Sequence, residues 1–278
     1  MIYQHPGQPQ MQVEVILASS HLGCPPIYTL RLRYPRILHS EVMTHRTFSR
    51  NARSSRAVPV QKMLDEVRNT PFVPWHWGAN QKGMQATEEC NELIKFRNDT
   101  VSREAAWLRA RDNAVSAAEG FMNAGYHKQI PNRLLEPFMW IDTLITATDW
   151  ANFLWLRDHE AAEPHLQDLA RLVRQALDEC VPQTLEENQW HTPYVDDQDL
   201  RVSAARCARI SYTPFDGNGD RDSEIARYDS LIGSDRVHAS PVEHQALPDP
   251  TNYAPHLHGN LTGWIQFRKT IPNEVHNG

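Results

Sequence analysis

Between Arg31 and Arg56 the chain places seven arginines, at positions 31, 33, 36, 46, 50, 53 and 56, with no lysine and a single acid, Glu41. The whole chain carries a formal net charge of -6, so positive charge is concentrated here against the overall balance. The choice of arginine matters physically. Its planar fork grips phosphate or carboxylate at two points and stays charged when partly desolvated, whereas lysine acts as a hydrated point charge. Ser49, Asn51, Ser54 and Ser55 stand among the arginines, small polar side chains that leave room for a ligand and add hydrogen bonds. A solvated face would mix lysine with both acids. The stretch reads first as an anion-binding site and second as a charged surface loop.

Other chemistries find less support. His238-Ala-Ser-Pro-Val-Glu-His244 gathers two histidines and a glutamate, but Pro241 interrupts the helical presentation that a zinc-type H-E-x-x-H needs. No second Cys or His cluster has ligand spacing, so no metal is expected, and these side chains are expected to hydrogen-bond a ligand or backbone. His256 and His258 read as loop residues. There is no G-x-S-x-G elbow, P-loop or G-x-G-x-x-G turn. A bound nucleotide would therefore be held by arginine side chains and not by a glycine-rich turn.

The elements that must position these residues are partly legible. Residues 12–18 and 27–33 alternate apolar with polar and predict strands, with a turn at Gly23-Cys-Pro-Pro between them. Ile37 to Thr47 reads as one short helix leading into an arginine-rich loop, and Pro71 to Gln85 as a loop. Val101 to Ala124 predicts a helix with Ala106, Ala110, Ala114, Ala117 and Phe121 on one face and Gly125 ending it. A second, buried helix is expected from about Glu136 to Leu156. A third begins near Pro164, with Leu166, Leu169, Ala170, Val173, Leu177 and Cys180 as its stripe and Pro182 as its stop. The middle of the chain thus reads as a helical block.

Beyond about Gln183 the texture changes. Trp190 to Tyr194 and Asp196 to Asp199 look loop-like, and Val202 to Tyr212 reads as a strand or short helix. Asp216 to Asp222 reads as a turn, Ser223 to Leu231 as a helix and Thr262 to Arg268 as a strand. Trp150, Trp155 and Trp264 are expected in the core. No clean linker divides the 278 residues. The fold class expected is α/β (α+β), one compact domain over residues 1–278 with an antiparallel-type sheet and a helical layer. Residues 10–182 carry the arginine stretch and helical block, and 183–278 carry the histidine motif.

Composition bounds the setting. No apolar run approaches the ~20 residues of a membrane span, and the N-terminus lacks the basic start and apolar core of a secretory signal. The four cysteines, 24, 90, 180 and 207, form no C-x-x-C pair, so a reduced cytoplasmic setting is expected. Net negative charge disfavours broad nucleic-acid binding.

At this point several segments share a resemblance. His45-Arg46-x-x-Ser49-x-Asn51-x-x-Ser54-x-Arg56 resembles the R-H-R-x-x-S-x-N-E-x-S-x-R motif of the flavin-dependent thymidylate synthase (ThyX) family, departing from it at Thr44 and Ala52. Asn132-Arg133-Leu-Leu-Glu-Pro137 is similar to the family's R-x-x-L-P stretch, and Asn152 to Arg157 to its N-F-L-x-L-R. Ala162-Glu163-Pro164-His165 stands where the family carries A-Q-x-E. Ala204 to Tyr212 and His238 to His244 resemble A-A-R-x-S-Y and H-x-[ST]-P-x-E-H. In the family those two precede the arginine motif, and here they follow it, the order of a circularly permuted, phage-type member. Permutation is tolerated where termini lie close together at a surface.

The resemblance implies reductive methylation of dUMP to dTMP with methylenetetrahydrofolate, FAD and NAD(P)H in a homotetramer, in the cytoplasm (the host's, if phage-encoded). It implies that Ser54, Arg56 and Arg133 hold the dUMP phosphate and sugar. Arg157 would sit against the pyrimidine as the catalytic cation, and Glu41 would take a position near the nucleotide where the family often has Gln. His45, Arg46, Ser49, Asn51, Asn152, His238, Ser240 and Glu243 would contact FAD. Glu41, Thr44 and Ala52 leave a second reading open: the same chemistry on another pyrimidine nucleotide, as dCMP methylation or hydroxymethylation of dUMP or dCMP. A third is a non-catalytic nucleotide or nucleic-acid binder using the arginines alone.

Overall fold

The computed structural model describes residues 1–96, 98–211, 219–233 and 237–276. Its elements, in chain order, begin with β1 (Ile2–His5), β2 (Gln8–Ser20) and β3 (Ile27–Pro35), followed by α1 (His39–Val42) and β4 (Ser49–Ala52). Next come α2 (Val60–Asn69), the hairpin β5 (Ile94–Phe96) and β6 (Asp99–Val101), α3 (Arg103–Asn123), α4 (Pro131–Leu134) and β7 (Trp140–Ala147). Then follow α5 (Ala151–Arg157), α6 (Pro164–Glu179), β8 (Gln183–Thr184), α7 (Leu200–Ala208) and α8 (Arg221–Ile232). The two-stranded pair β9 (Ala246–Pro248) and β10 (Trp264–Gln266) closes the series.

The main sheet runs β1-β2-β3-β7-β4 with antiparallel pairing throughout, and β8 adds a short parallel edge to β2. The fold is mixed α/β with an antiparallel sheet and helices, as expected. One face of the sheet packs on α6, whose Leu166, Leu169, Ala170, Val173 and Ala176 meet Met11, Val13, Leu30, Leu32 and Ile145 in one buried cluster. Pro164 at the first turn and the Glu163 carboxylate, which accepts from Leu166 N at 2.8 Å, start this helix where it was expected. A second cluster joins α2, α3 and the segment after α4, through Met63, Leu64, Val67, Val115, Ala118 and Leu135. The opposite sheet face is covered by the segment from Gln183 onward. There Thr29 and Thr146, direct partners on β3 and β7, bond His191 and His244.

Four expectations are corrected. The helix expected from Glu136 to Leu156 is a 3-10 turn at Glu136–Phe138, the strand β7 and the separate helix α5. Strand β7, Trp-Ile-Asp-Thr-Leu-Ile-Thr-Ala, is buried on both faces, Thr143 and Thr146 included, so its residue types show no clean alternation and periodicity does not separate it from a buried helix. The block between 101 and 182 is therefore helices around a strand. The helix expected over 37–47 is a 3-10 turn, Arg36–Leu38, and the single turn α1. The arginine-rich loop contains the edge strand β4, whose Ser49 to Ala52 pair with Thr146 to Thr143. Trp155 is 74% exposed, while Trp150 and Trp264 are buried.

Elsewhere the agreement is close. Gly125 ends α3 at φ +83°, which a side chain would strain, although Ala117 faces solvent and Val115 and Ala118 face the core. Residues 202–208 are helical, in α7. The Thr262 to Arg268 strand is limited to β10, with a 3-10 turn after it. Tyr212, and the 216–218 part of the expected Asp216 to Asp222 turn, lie outside the described residues.

Candidate active site

Two clusters assemble around the turn that connects β3 to β4. The first is a cleft of about 330 Å³ lined by Arg36, Ser54, Ser55, Arg56, Arg133 and Glu136. Three separate chain segments meet in it: the end of β3, the loop after β4, and α4 with the turn behind it. Asn132 makes the junction. It is fully buried, and its amide donates to the carbonyls of Ser55 at 2.7 Å and Val58 at 2.9 Å, which fastens α4 to the 54–58 loop. Ser54, Arg56 and Arg133, expected together from sequence, do come together here. Arg56 and Arg133 are exposed residues at this cleft.

The second cluster centres on Arg157, at the C-terminal end of α5. Its Nε donates to His45 Nε2 at 3.0 Å, Nη1 to Glu41 Oε2 at 3.2 Å and Nη2 to Thr44 Oγ1 at 3.3 Å. His45 accepts at Nε2, so its own proton sits on Nδ1 and the ring is neutral. Burial, then the charges of Arg157 and Arg50, push its pKa down to about 4. Phe153 meets the ring edge-on at 5.0 Å, and Phe48 lies behind it. This packing fixes the imidazole, and through it the guanidinium.

The two clusters are joined by the turn 36–42. Arg36 opens it in the cleft and Glu41 stands near its end against Arg157, a separation of roughly 8–10 Å along such a turn. Between them His39 Nδ1 bonds the buried Tyr34 hydroxyl at 2.9 Å, and burial together with Arg36 and Arg50 pushes the His39 pKa down to about 4. The strip is thus cationic at both ends, with neutral imidazoles in its interior. A mononucleotide, with its phosphate at one end and its base at the other, can span such an interval.

The remaining arginines have other tasks. Arg31 pairs with Glu14 at 2.7 Å, Arg33 with Asp142 at 2.9 Å and Arg53 with both oxygens of Glu66 at 2.9 and 2.8 Å. Arg50 donates to the carbonyls of Met43 and His45. Their counter-ions lie 13 or more residues away in sequence, which is why the stretch looked more uniformly available than it is.

Residues expected to contact a cofactor divide into two groups. Arg46, Asn152 and His238 are exposed. Ser49 and Asn51 are engaged internally. Ser49 Oγ donates to Asn260 Oδ1 at 3.2 Å and accepts from Gln266 at 3.0 Å, and Asn51 Nδ2 donates to the Cys207 carbonyl at 2.7 Å. Both tie β4 to the later segment. Glu243 is paired with Arg268, and burial holds its carboxyl above the usual range. Ser240 starts the 3-10 turn that leads to it. Glu163 and His165 serve α6 and the chain above it, with His165 Nε2 accepting from the backbone N–H of Trp75 at 3.3 Å. The stretches from Trp190 to Tyr194 and from Gly263 to Arg268 are structural in part, since His191 and Trp264 are fully buried. Arg36, Glu136 and Asn132 were not among the site residues expected. Arg36 sat unmarked among seven arginines, and a 100-residue separation hides its pairing with Glu136.

No protein-family model and no curated protein matches the chain. Among solved structures it is similar to a UMP/dUMP methylase, PolB, from Streptomyces cacaoi bound with 5-Br dUMP. That match has 15% identity and a TM-score of 0.45, over 64% of this chain and 90% of that one. The same enzyme with 5-Br UMP aligns at 16% identity and a TM-score of 0.37, over 55% and 69% of the two chains. The flavin-dependent thymidylate synthase ThyX from Helicobacter pylori, complexed with FAD and dUMP, aligns at 15% identity and a TM-score of 0.35, over 54% and 67%.

Proposed function

We propose that this chain is a flavin-dependent pyrimidine nucleotide methyltransferase of the thymidylate synthase type, converting dUMP to dTMP. Residues 1–278 would form one ThyX-like unit in permuted order, working as a homotetramer. The observation that carries the reading is the strip itself: Ser54, Arg56 and Arg133 gathered in one cleft, with Arg157 held beyond the turn 36–42.

In this reading the phosphate binds Arg56 and Arg133 through charge-assisted bonds, with Ser54 adding a hydroxyl. The pyrimidine reaches Arg157, whose fixed guanidinium stabilises negative charge that develops on the ring. The neutral His45 orients that guanidinium and carries no competing charge. Glu41 accepts a hydrogen bond from an N–H on the base edge. Arg46, Asn152 and His238 are the exposed groups that fit FAD, while Ser49, Asn51 and the Glu243–Arg268 pair shape the wall behind them. Bound FAD would relay two electrons from NAD(P)H, and methylenetetrahydrofolate would supply the one-carbon unit. No cysteine nucleophile is needed: Cys207 is buried and burial pushes its thiol far up, away from the thiolate form.

A second reading rests on Glu41. A carboxylate beside Arg157 also matches cytosine, accepting from the 4-amino group while the guanidinium donates to the ring.

Tritium release from 5-labelled dUMP and 5-labelled dCMP, with FAD, methylenetetrahydrofolate and NADPH present, tests both readings. Release from dUMP with a product of dTMP mass is expected. Release from dCMP alone would move the assignment to cytosine. No release and no bound flavin would leave a nucleotide or nucleic-acid binder, recognisable by affinity that falls steeply with salt.

A further inference from the structure

The cleft that gathers Ser54, Arg56 and Arg133 also holds an acid. Glu136 Oε1 accepts from Arg36 Nη2 at 3.3 Å and from Ser55 Oγ at 2.9 Å. Its side chain remains 29% exposed and lines the opening. A carboxylate facing a bound phosphate repels it. An acid retained in such a place therefore needs a hydrogen-bond donor to face.

The local structure holds this carboxylate in a set position. Ser55 is buried, and its carbonyl is tied to the fully buried Asn132. Arg36 pairs with the carboxylate and offsets its charge. Both of these bonds fall on Oε1, and Oε2 takes no hydrogen bond among the described residues. Next to its phosphate, a nucleoside 5′-monophosphate offers one kind of donor, the hydroxyls of the pentose. Acidic side chains accept readily from such hydroxyls, as in dinucleotide-binding folds.

We propose that Glu136 reads the sugar: its Oε2 accepts a hydrogen bond from a pentose hydroxyl while Arg56, Arg133 and Ser54 take the phosphate. Arg36 and Ser55 are positioning residues for it. The inference rests on the nucleotide reading of this cleft, and it makes Glu136 a specificity residue for the sugar and not for the base.

Calorimetric titration of the intact protein with UMP, dUMP and 2′,3′-dideoxy-UMP tests it, in wild type and in Glu136→Leu. Wild type should bind a hydroxylated nucleotide about tenfold or more tighter than the dideoxy compound, because a polar group built to accept that bond is otherwise left unpaired. A step between UMP and dUMP assigns the 2′-hydroxyl, and a step between dUMP and dideoxy-UMP assigns the 3′-hydroxyl. Glu136→Leu should flatten that step, yet bind inorganic phosphate at least as well as wild type, since a negative charge has gone. Glu136→Gln keeps an acceptor and should retain part of the step. An identical step in wild type and Glu136→Leu makes Glu136 a brace for Arg36 and overturns the inference. Wild type that binds all three nucleotides equally overturns it without any variant. Wild type that binds none of them overturns the uridine nucleotide reading on which the inference rests.

Discussion

At the scale of single residues, Arg157 and Arg133 look alike in sequence and do different work. Arg157 donates three hydrogen bonds to groups already in the protein, so its position is set before any ligand arrives. Such a preorganised cation contributes to turnover more than to binding. Arg157→Ala is expected to lower turnover by a factor of about 10² or more while flavin absorbance of the purified protein is retained. Arg46→Ala should lose flavin, because Arg46 is exposed beside the site. Full activity in Arg157→Ala would refute the alignment through α5. The same variant makes a spectroscopic prediction. The Arg157 charge helps push the His45 pKa down to about 4, so its removal should move the imidazole titration upward in proton NMR. Arg133, an exposed residue at the cleft, should behave differently. Arg133→Ala should raise the KM for the nucleotide about tenfold or more, with a smaller change in kcat.

At the scale of elements, β4 is the piece that brings the chain's two parts together. It is an edge strand on β7, yet its side chains are bonded away from the sheet. Asn51 reaches the Cys207 carbonyl in the last turn of α7, and Ser49 reaches Gln266 at the end of β10. A ligand-contact role and a fastening role for Asn51 predict different outcomes. Asn51→Ala leaves the Cys207 carbonyl without this donor, a cost of about 1–2 kcal/mol. A lower urea midpoint in flavin-free protein supports fastening, whereas an unchanged midpoint with lost flavin supports contact. The short turn 36–42 has a similar dual character. It is too short to be stable as an isolated helix, and the bonds from Arg36 to Glu136 and from Arg157 to Glu41 hold its two ends.

At the scale of the whole molecule, a buried polar chain joins the early and late segments. Ser19, Thr29 and Thr146 come from the sheet, and His191 and His244 from the covering segment. The links run Ser19 to His191 at 2.8 Å, His191 to Thr29 at 2.8 Å, Thr29 to Thr146 at 2.6 Å and Thr146 to His244 at 2.8 Å. All five residues are fully buried, and His244 Nε2 has no hydrogen-bond partner among the described residues. Burial pushes both histidines down to a pKa of about 3. Their folded values lie below the ordinary 6.5, so the unfolded chain binds more protons once the pH falls below that value. The folded state therefore has its full stability above about pH 6.5 and loses it as the medium is acidified towards pH 3. Between pH 7 and pH 5 the loss should be on the order of 2 kcal/mol per histidine. Urea midpoints at the two pH values check this. His244→Gln, which cannot take on a proton there, should reduce the pH dependence.

Sequence alone determined the strongly patterned elements and offered candidates for the chemistry-bearing residues. The alternation in β2 and β3, the stripe of α6 with its Pro164 start, and Gly125 behind α3 are local signals, set by backbone sterics and by the period of burial. Ser54 and Arg56 could be singled out because arginine among small polar residues is suited to anions, whereas Arg133 and Arg157 were marked only by the resemblance of their segments to a known family. Only the tertiary structure decided which arginines remain available. Arg31, Arg33 and Arg53 are neutralised by acids from other strands and from α2, and Arg36 is turned towards Glu136. Charge pairing depends on distance in space, and residues 100 positions apart give no sign of it along the chain. The strand β7 was hidden for a related reason. A segment enclosed on both faces has no polar side to mark its period, so its neighbours in the sheet, and not its own sequence, made it a strand.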